Sequence, residues 1–340
     1  MKQQLTLLVL GEVSRAVRGE IFQRQPLKSA PHYFEISVPN QVVISEEKIF
    51  ADGAEAIMQL KGYPPDILVL QTTIEVPDIF DQKKVSELED HILEESYKIL
   101  KERGGRKEAS ETYSIFCVTG YSGDPDQFAG HADVIAALLK SEKARLDPEE
   151  VAYTMSAQIK YGNNDAAVLD WDGAFLFDPE GDIEASIELL TLANLQLLRY
   201  RILDRHLDDR LEQMKHLVKT PPKRFSLRRD KEVENGLRGI IKSRMESIQQ
   251  FQAIERDIKL IGDWYFARLY DMTSKKLKLN EWRNSIREKL DSIEGIYNMV
   301  AENLTISTKD RAEWIQIIAF FILQIGWLVL IVLEFFYFTK

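Results

Sequence analysis

The last 27 residues are the most apolar stretch of the chain and read WIQIIAFFILQIGWLVLIVLEFFYFTK. Twenty consecutive residues, Trp314 to Leu333, carry no formal charge. At about 1.5 Å of rise per residue, a helix of this length spans roughly 30 Å, which is the thickness of a bilayer's hydrocarbon core. The sequence therefore predicts one transmembrane helix over residues 313–338. The alternative, a buried core helix, is disfavoured because more aromatic residues follow the uncharged run.

The residues around this helix predict its orientation. Trp314, Trp327 and Tyr337 are aromatic residues of the kind that anchor helices at membrane interfaces. Lys309 and Arg311 precede the apolar run. Because basic residues favour the cytoplasmic side, we expect an integral membrane protein with a single C-terminal pass, the lipid bilayer as its partner, and a cytoplasmic body. The N-terminal apolar run, residues 5–10, is shorter than a signal peptide needs, so we interpret it as a strand and the arrangement as a tail anchor.

Composition excludes several classes of protein. The net charge of −10 argues against general nucleic-acid binding by the whole body. The single cysteine, Cys117, rules out a disulfide framework or a cysteine-based zinc site within one chain. Because Cys117 lies in the apolar run YSIFCV, we interpret it as a buried structural thiol.

Up to about residue 180 the chain alternates between strand-like and helix-like patterns. Helical spacing runs over residues 85–105, 127–143 and 148–160, and Asp172-Gly173 is a hairpin signal of the type I′ kind. The strand-like runs cover residues 5–11, 32–38, 66–76, 113–121 and 166–171. These patterns predict an α+β or α/β head domain over residues 1–180.

After Gly181 the apolar residues recur three and four positions apart, which indicates helices. A long helix is broken near residues 219–231 by Pro221 and Pro222, a second helix covers residues 237–265, and a third starts near Asn280. The fold class is thus a head domain, then a helical hairpin or bundle forming a stalk over residues 181–312, then the transmembrane helix. In the third helix, residues 286–304 keep a heptad register, so either a coiled coil or packing within the chain is allowed.

Residues 160–338 resemble the required-for-meiotic-nuclear-division family. The resemblance is carried by Asp263-Trp264, Leu269-Tyr270, Trp282-Arg283, Lys289-Leu290-Asp291, Tyr297 and Glu313-Trp314, which opens the membrane helix. It departs from the family in KLKLNEWRNS, which matches the family's asparagine-rich turn only in part. The resemblance implies an α/β head on a membrane-anchored helical stalk, with mitochondrial relatives that support organellar translation. It implies no catalytic residues.

The acidic residues Asp165, Asp170 and Asp172 are the candidate metal ligands, since carboxylates suit Mg²⁺ or Ca²⁺. The alternative is a purely structural role, in which these residues form turns and helix caps. Nucleotide-binding and zinc-protease motifs are lacking, and GYSGD at residues 120–124 is better explained as a loop after a strand. We expect no cofactor.

A basic segment, residues 215–231, interrupts the otherwise acidic chain. It is a candidate contact for anionic lipid or RNA, with a solvated turn as the alternative. Its candidate contact residues are Lys219, Lys223, Arg224, Arg228 and Arg229.

The sequence also predicts that copies of this chain associate with one another. Gln324 places an amide in the membrane, where a partner helix can satisfy it, although its own backbone could do the same. With Leu290 and Tyr297 on the stalk seam, it predicts a homo-oligomer. Two functions stay open: a membrane-anchored non-enzymatic scaffold, and a metal-dependent enzyme of unknown reaction.

Overall fold

The computed structural model describes residues 1–14, 17, 20–21, 41–51, 53–219, 239, 241–242, 245–249, 251–252 and 264–338. For residues 20–21, 215–219, 300–311, 335–336 and 338 it describes the backbone alone. The described strands are β1 (Lys2–Val13), β2 (Glu20–Ile21), β3 (Val42–Ala51), β4 (Ala54–Tyr63), β5 (Ile67–Glu75), β6 (Gly105–Thr119), β7 (Gln158–Ile159), β8 (Ala166–Leu169) and β9 (Gly173–Asp178). The described helices are α1 (Gln82–Glu102), a 3₁₀ helix (Pro125–His131), α2 (Ala132–Leu139), α3 (Pro148–Ser156), α4 (Glu184–Lys219), α5 (Trp264–Lys276) and α6 (Leu279–Phe338).

The nine strands form one mixed sheet in the order β2-β3-β4-β5-β1-β6-β9-β8-β7. Strand β1 lies at its centre and pairs antiparallel with both β5 and β6. The pairing of β6 with β9 is parallel, and it places Ser114 opposite Gly173. Strand β1 is apolar on both faces because both faces of the sheet centre are covered: Leu7 and Val9 are as buried as Leu8 and Leu10.

Helix α1 covers one face of the sheet. Its carboxylate N-cap, Asp81, accepts a hydrogen bond from the Lys84 backbone N–H, and the helix stops before Gly104, whose φ of +84° suits glycine. Its buried residues recur at helical spacing, and the apolar ones join the core to which β1, β5, β6 and β9 contribute. They are Val85, Leu88, Ile92, Ser96 and Leu100.

The first part of α4 forms an ion pair and hydrogen bonds with the head. Arg201 forms an ion pair with Glu111 of β6, and Arg205 donates to the Glu108 carbonyl at 2.9 Å. Arg199 donates to the Pro64 carbonyl at 3.2 Å. Helix α4 therefore belongs to the packing of the head as far as these arginines.

The predicted fold class is confirmed: a mixed-sheet N-terminal domain precedes helices that end in an apolar C-terminal helix. The runs predicted at residues 5–11, 66–76, 113–121 and 166–171 correspond to β1, β5, β6 and β8, whereas the run at 32–38 lies outside the described residues. The β3–β4 hairpin was not predicted, because Glu46, Glu47 and Lys48 on β3 are exposed and interrupt the apolar alternation.

The hairpin predicted at Asp172-Gly173 exists, but its turn lies one residue earlier. The Asp170 N–H donates to the Gly173 carbonyl at 2.9 Å, so Trp171 and Asp172 are the central residues, and neither has a positive φ. The expected type I′ turn is therefore wrong. Glycine is needed at position 173 for a different reason: a Cβ there would lie 2.7 Å from the Ser114 carbonyl oxygen of the paired strand.

Contacts divide the chain into two compact units. The first comprises Met1–Arg205 and Gln250–Ile286, and the second comprises His206–Gln249 and Arg287–Lys340. In the second unit, Lys289 forms an ion pair with Asp208 at 2.7 Å, and Ile293 and Met214 are buried. The boundaries predicted at residues 180 and 312 stay a prediction, for which limited proteolysis is the measurement.

Candidate functional site

The hairpin between β8 and β9 carries a buried carboxylate with four polar partners. Asp170 is 5% exposed, and its carboxylate lies 2.9 Å from Lys140 Nζ, just after α2, and 3.2 Å from Lys276 Nζ of α5. The Thr154 hydroxyl of α3 donates to it at 3.3 Å and the Trp171 backbone N–H at 2.9 Å. We call Asp170, Lys140, Lys276 and Thr154 the Asp170 cluster; it joins three helices to one hairpin.

Further contacts surround the two lysines of this cluster. Lys140 also lies 2.8 Å from Glu150 of α3. The Lys276 ammonium lies 4.8 Å from the centre of the Tyr153 ring, and that of Lys278 lies 5.8 Å from the Trp171 ring, both within the range of a cation–π contact. Each ammonium group of the cluster thus has a second partner besides Asp170.

The pKa values of Asp170 and Asp172 are shifted in opposite directions. Burial alone would raise the pKa of Asp170, but its hydrogen bond with Lys140 and the charges of both lysines hold that pKa below its ordinary value. For Asp172, burial and then the negative charge of Asp170 raise the pKa. One carboxylate of the hairpin is therefore a stabilised anion and the other a destabilised one.

The three candidate metal ligands do not share one environment. The Asp165 carboxylate accepts hydrogen bonds from the backbone N–H groups of Tyr161 and Gly162, the latter at 2.6 Å, and so closes its own loop. Asp170 and Asp172 lie close together, but the Asp170 oxygens face two ammonium groups. Among the described residues, no group of three or more His, Cys, Asp or Glu side chains is placed to hold a metal ion.

The other predicted features of the head lie in ordinary surroundings. Cys117 is buried on β6, as predicted, and burial raises the pKa of its thiol to about 12. GYSGD forms the predicted loop after β6, in which Gly120 and Gly123 take positive φ values of 66° and 93°. The Asp124 carboxylate caps the following 3₁₀ helix by accepting from the Asp126 N–H. None of these residues is arranged as an activated nucleophile.

Most of the basic segment, residues 215–231, lies outside the described residues. Lys223, Arg224, Arg228 and Arg229 lie outside the described residues, and Lys219 is described as backbone at the end of α4. Its contact with lipid or RNA stays a prediction.

The C-terminal helix has the length and composition of a membrane span. Within the helical stretch Ala312–Glu334, an 18-residue window has a mean hydropathy of 2.5, and none of that window is buried within the chain. Trp314 and Trp327 are 56% and 69% exposed, and the predicted anchor residues Gln324 and Tyr337 are exposed as well. The span continues without a break from the helix that begins at Leu279.

The heptad seam of the stalk, residues 286–304, is largely covered within one chain as far as its side chains are described, which is up to residue 299. Leu290 is 9% exposed and Ile293 is 1% exposed, whereas Tyr297 is half-buried. The predicted oligomer contact stays a prediction, and the Leu290 side chain has little exposed surface for a second copy.

The head domain matches a known protein family. A family model described as the N-terminal domain of the uncharacterized protein MJ0711 matches residues 8–183, just over half of the 340 residues. The chain belongs to this MJ0711 family. The match includes the second half of β1 and every later strand that the structure describes, so the MJ0711 domain covers most of the sheet and the Asp170 hairpin.

The similarity to an MJ0711-family relative extends beyond the head. The uncharacterized protein MJ0711 of Methanocaldococcus jannaschii is 25% identical over 306 residues, which cover 89% of each chain. No solved structure matches the chain. The MJ0711 family is uncharacterised, and neither match confirms the resemblance of residues 160–338 to the required-for-meiotic-nuclear-division family.

Sequence reasoning missed the partners that define the Asp170 cluster. Lys140, Thr154 and Lys276 lie 30, 16 and 106 positions from Asp170, and no local spacing links them. The sequence analysis also did not single out Glu89 of α1, whose pKa is raised to about 7 by burial in the fold. The helical pattern of α1 could have suggested that Glu89 is half-buried, because it follows the buried Leu88 directly.

Proposed function

We propose that this MJ0711-family protein is a membrane-anchored, non-enzymatic interaction protein whose α6 helix holds the sheet domain at a bilayer. The observation that supports this function is the helix Ala312–Glu334, which combines high hydropathy with complete exposure. Apolar surface is unfavourable in water by roughly 25 cal/mol per Å², so a helix that the rest of the chain leaves uncovered is suited to lipid.

The anchor is tested by placing one charge at two depths. Leu323→Arg puts an arginine at the centre of the span, where it costs about 2.5–3.5 kcal/mol of insertion free energy, whereas Ile315→Arg puts it near the edge, where it costs far less. We expect alkaline carbonate to extract the Leu323→Arg protein from membranes and to leave the wild type and Ile315→Arg behind. Complete extraction of the wild-type protein would show that α6 does not span a bilayer.

The body is proposed to be cytoplasmic. The support is the pair Lys309 and Arg311 before the span, against Lys340 after it. Protease added to right-side-out vesicles should leave the sheet domain intact and should cleave it once the vesicles are opened. Cleavage of the sheet domain in sealed vesicles would reverse the proposed orientation.

The charges around Asp170 argue against the metal-dependent alternative. A carboxylate that faces two ammonium groups is already neutralised and is a poor ligand for a cation. The alternative, a metal-dependent enzyme using Asp165, Asp170 and Asp172, would require those lysines to withdraw. Calorimetric titration of the full chain with Mg²⁺ or Ca²⁺ distinguishes the two, since tight binding that Asp170→Asn abolishes would favour the enzyme.

A homo-oligomer formed through the anchor belongs to the same proposal. Gln324 places an amide on the exposed span, and Tyr297 keeps part of its surface free, whereas Leu290 is covered. A pair of amides between membrane helices contributes about 0.6–2 kcal/mol. Gln324→Leu should therefore lower the oligomer fraction in mild detergent, with Gln316→Leu as the matched control, and a wild-type particle of one chain would contradict the proposal.

The resemblance to the required-for-meiotic-nuclear-division family adds a proposed link to translation. It rests on the motif pattern of residues 160–338, most of which lie beyond the family match at residues 8–183. The basic segment is the proposed contact with anionic phosphate. Replacing Lys223, Arg224, Arg228 and Arg229 by glutamine should weaken salt-dependent binding to RNA, or to vesicles containing phosphatidylserine, and whichever ligand responds identifies the phosphate source.

A further inference from the structure

Helices α4 and α6 run parallel where polar side chains join them. The Ser285 hydroxyl of α6 donates to the Asp204 carboxylate of α4 at 2.9 Å. About one turn further along both helices, Lys289 forms an ion pair with Asp208 at 2.7 Å. In each pair the α6 residue lies 81 positions after the α4 residue. Antiparallel helices would change this offset from one pair to the next, so an equal offset means that both helices point in one direction.

The two helices keep this course beyond the ion pair. Helix α4 continues as far as Lys219, and α6 continues without a break through the apolar stretch Ala312–Glu334. Buried apolar residues occur on both helices close to the ion pair, which indicates that this part of the stalk is packed rather than held by charge alone. They are Leu207 and Met214 of α4 and Leu290 and Ile293 of α6.

The C-terminal end of α4 is therefore directed toward the apolar span. At the same offset of 81, Lys219 is level with position 300 of α6, twelve residues before Ala312. Twelve helical residues correspond to about 18 Å. The head groups extend about 5–8 Å beyond the hydrocarbon on each side of a bilayer, so α4 ends about 10–13 Å from them. This distance is close to the Debye length of about 8–10 Å at moderate salt.

The end of α4 is also basic. After Glu212 the helix carries Lys215 and Lys219 and no acidic residue. A basic residue near an anionic bilayer surface contributes about 1 kcal/mol to binding. The direction of α4 and the charge of its last two turns therefore indicate the same partner, an anionic lipid surface.

We propose that the C-terminal end of α4, with Lys215 and Lys219, faces the bilayer and binds anionic lipid head groups. This inference rests on the proposed function, because it requires α6 to span the bilayer. It favours lipid over RNA as the phosphate source for the basic segment, since the described start of that segment is directed to the membrane surface. Attraction over this distance is screened by salt, so it weakens as the ionic strength rises.

The test of proximity places one fluorescent label on α4 of the full chain, reconstituted into vesicles that carry a nitroxide quencher on the lipid head group. Cys117 is buried and its thiol pKa is raised, so a maleimide label reacts selectively with an introduced cysteine. The label of Lys219→Cys should lose fluorescence to the quencher. The label of Glu184→Cys, exposed at the opposite end of the same helix, should keep its fluorescence.

The test of charge compares two lipid compositions. Vesicles that contain phosphatidylserine should quench the label of Lys219→Cys more than vesicles of phosphatidylcholine alone, and high salt should remove the difference. Adding Lys215→Gln should reduce this difference. Adding Lys98→Gln, which removes an exposed lysine from α1, should leave it unchanged. Equal quenching in both lipids at low salt would overturn the proposed contact.

Resistance to alkaline carbonate, measured on the same vesicles, separates this inference from the anchor. A resistant protein whose label at position 219 keeps its fluorescence would overturn the inference and leave the anchor intact. Extraction of the protein by carbonate would refute both. A label at position 219 that responds to single-stranded RNA and to neither lipid would overturn the lipid assignment in favour of RNA.

Discussion

Replacing Asp170 by asparagine should destabilise the sheet domain by about 2–4 kcal/mol. Removing one partner from a buried ion pair costs about 3–5 kcal/mol, because the other charge stays buried. The Lys276 and Lys140 side chains are 15% and 23% exposed, and Lys140 keeps Glu150 as a partner. Most of the penalty therefore falls on Lys276, which retains the Tyr153 ring as a neighbour. This reasoning lowers the expected loss below that of a fully buried pair.

The measurement is pulse proteolysis of the full chain in mild detergent over a urea series. For a domain of this size the free energy of unfolding falls by about 2 kcal/mol per molar urea, so the midpoint should fall by about 1–2 M. The matched control is Asp271→Asn, which breaks the exposed pair with Lys275 at 2.6 Å and should cost less than about 0.5 kcal/mol. Equal midpoints for the two variants would refute a stabilising role for the Asp170 cluster.

The dependence of this contribution on pH follows from the lowered pKa of Asp170. Stability from a carboxylate with a depressed folded pKa is present above its ordinary pKa of 3.8 and is lost as the pH falls through the folded value. The difference between wild type and Asp170→Asn should therefore stay constant between pH 5 and 8 and shrink below pH 4. A difference that vanished at pH 6 would contradict this assignment.

Two further substitutions test the backbone around the hairpin by the same urea measurement. Gly173→Ala should destabilise by at least about 2 kcal/mol, because the new Cβ would lie 2.7 Å from the Ser114 carbonyl oxygen, and a neutral result would show that β6 and β9 can separate at no cost. Lys278→Gly should stabilise by up to about 1 kcal/mol, since Lys278 follows the end of α5 with a φ of +50°. A clear loss of stability there would mean that the contact between Lys278 and Trp171 outweighs the backbone strain.

The architecture could be predicted where apolar residues form a continuous run or recur at a regular spacing. Strand β1 was predictable as a short continuous apolar run, helix α1 because its apolar residues recur with the helical period, and the apolar C-terminal helix because of its twenty uncharged residues. The β3–β4 hairpin was not, because charged side chains on its exposed face obscure the alternation. The turn at Trp171-Asp172 was predicted one residue too late, at Asp172-Gly173. Glycine is required at position 173 by the close approach of the Ser114 carbonyl oxygen on β6 and not by the turn.

The candidate site was harder to predict than the fold, because its oppositely charged residues lie far apart in the sequence and only the fold brings them together. Asp170 was singled out as an acidic residue near others, which suggested a cation site, yet the elements that reach it bring lysines. Lys140 follows α2 and Lys276 ends α5, and only the packed fold shows that both face one hairpin. The charge of the groups that surround Asp170 is thus set by the tertiary structure. It decides whether Asp170 could bind a metal ion or forms ion pairs with lysines. The same holds for Glu89, whose raised pKa depends in part on Asp172, 83 positions away in the sequence.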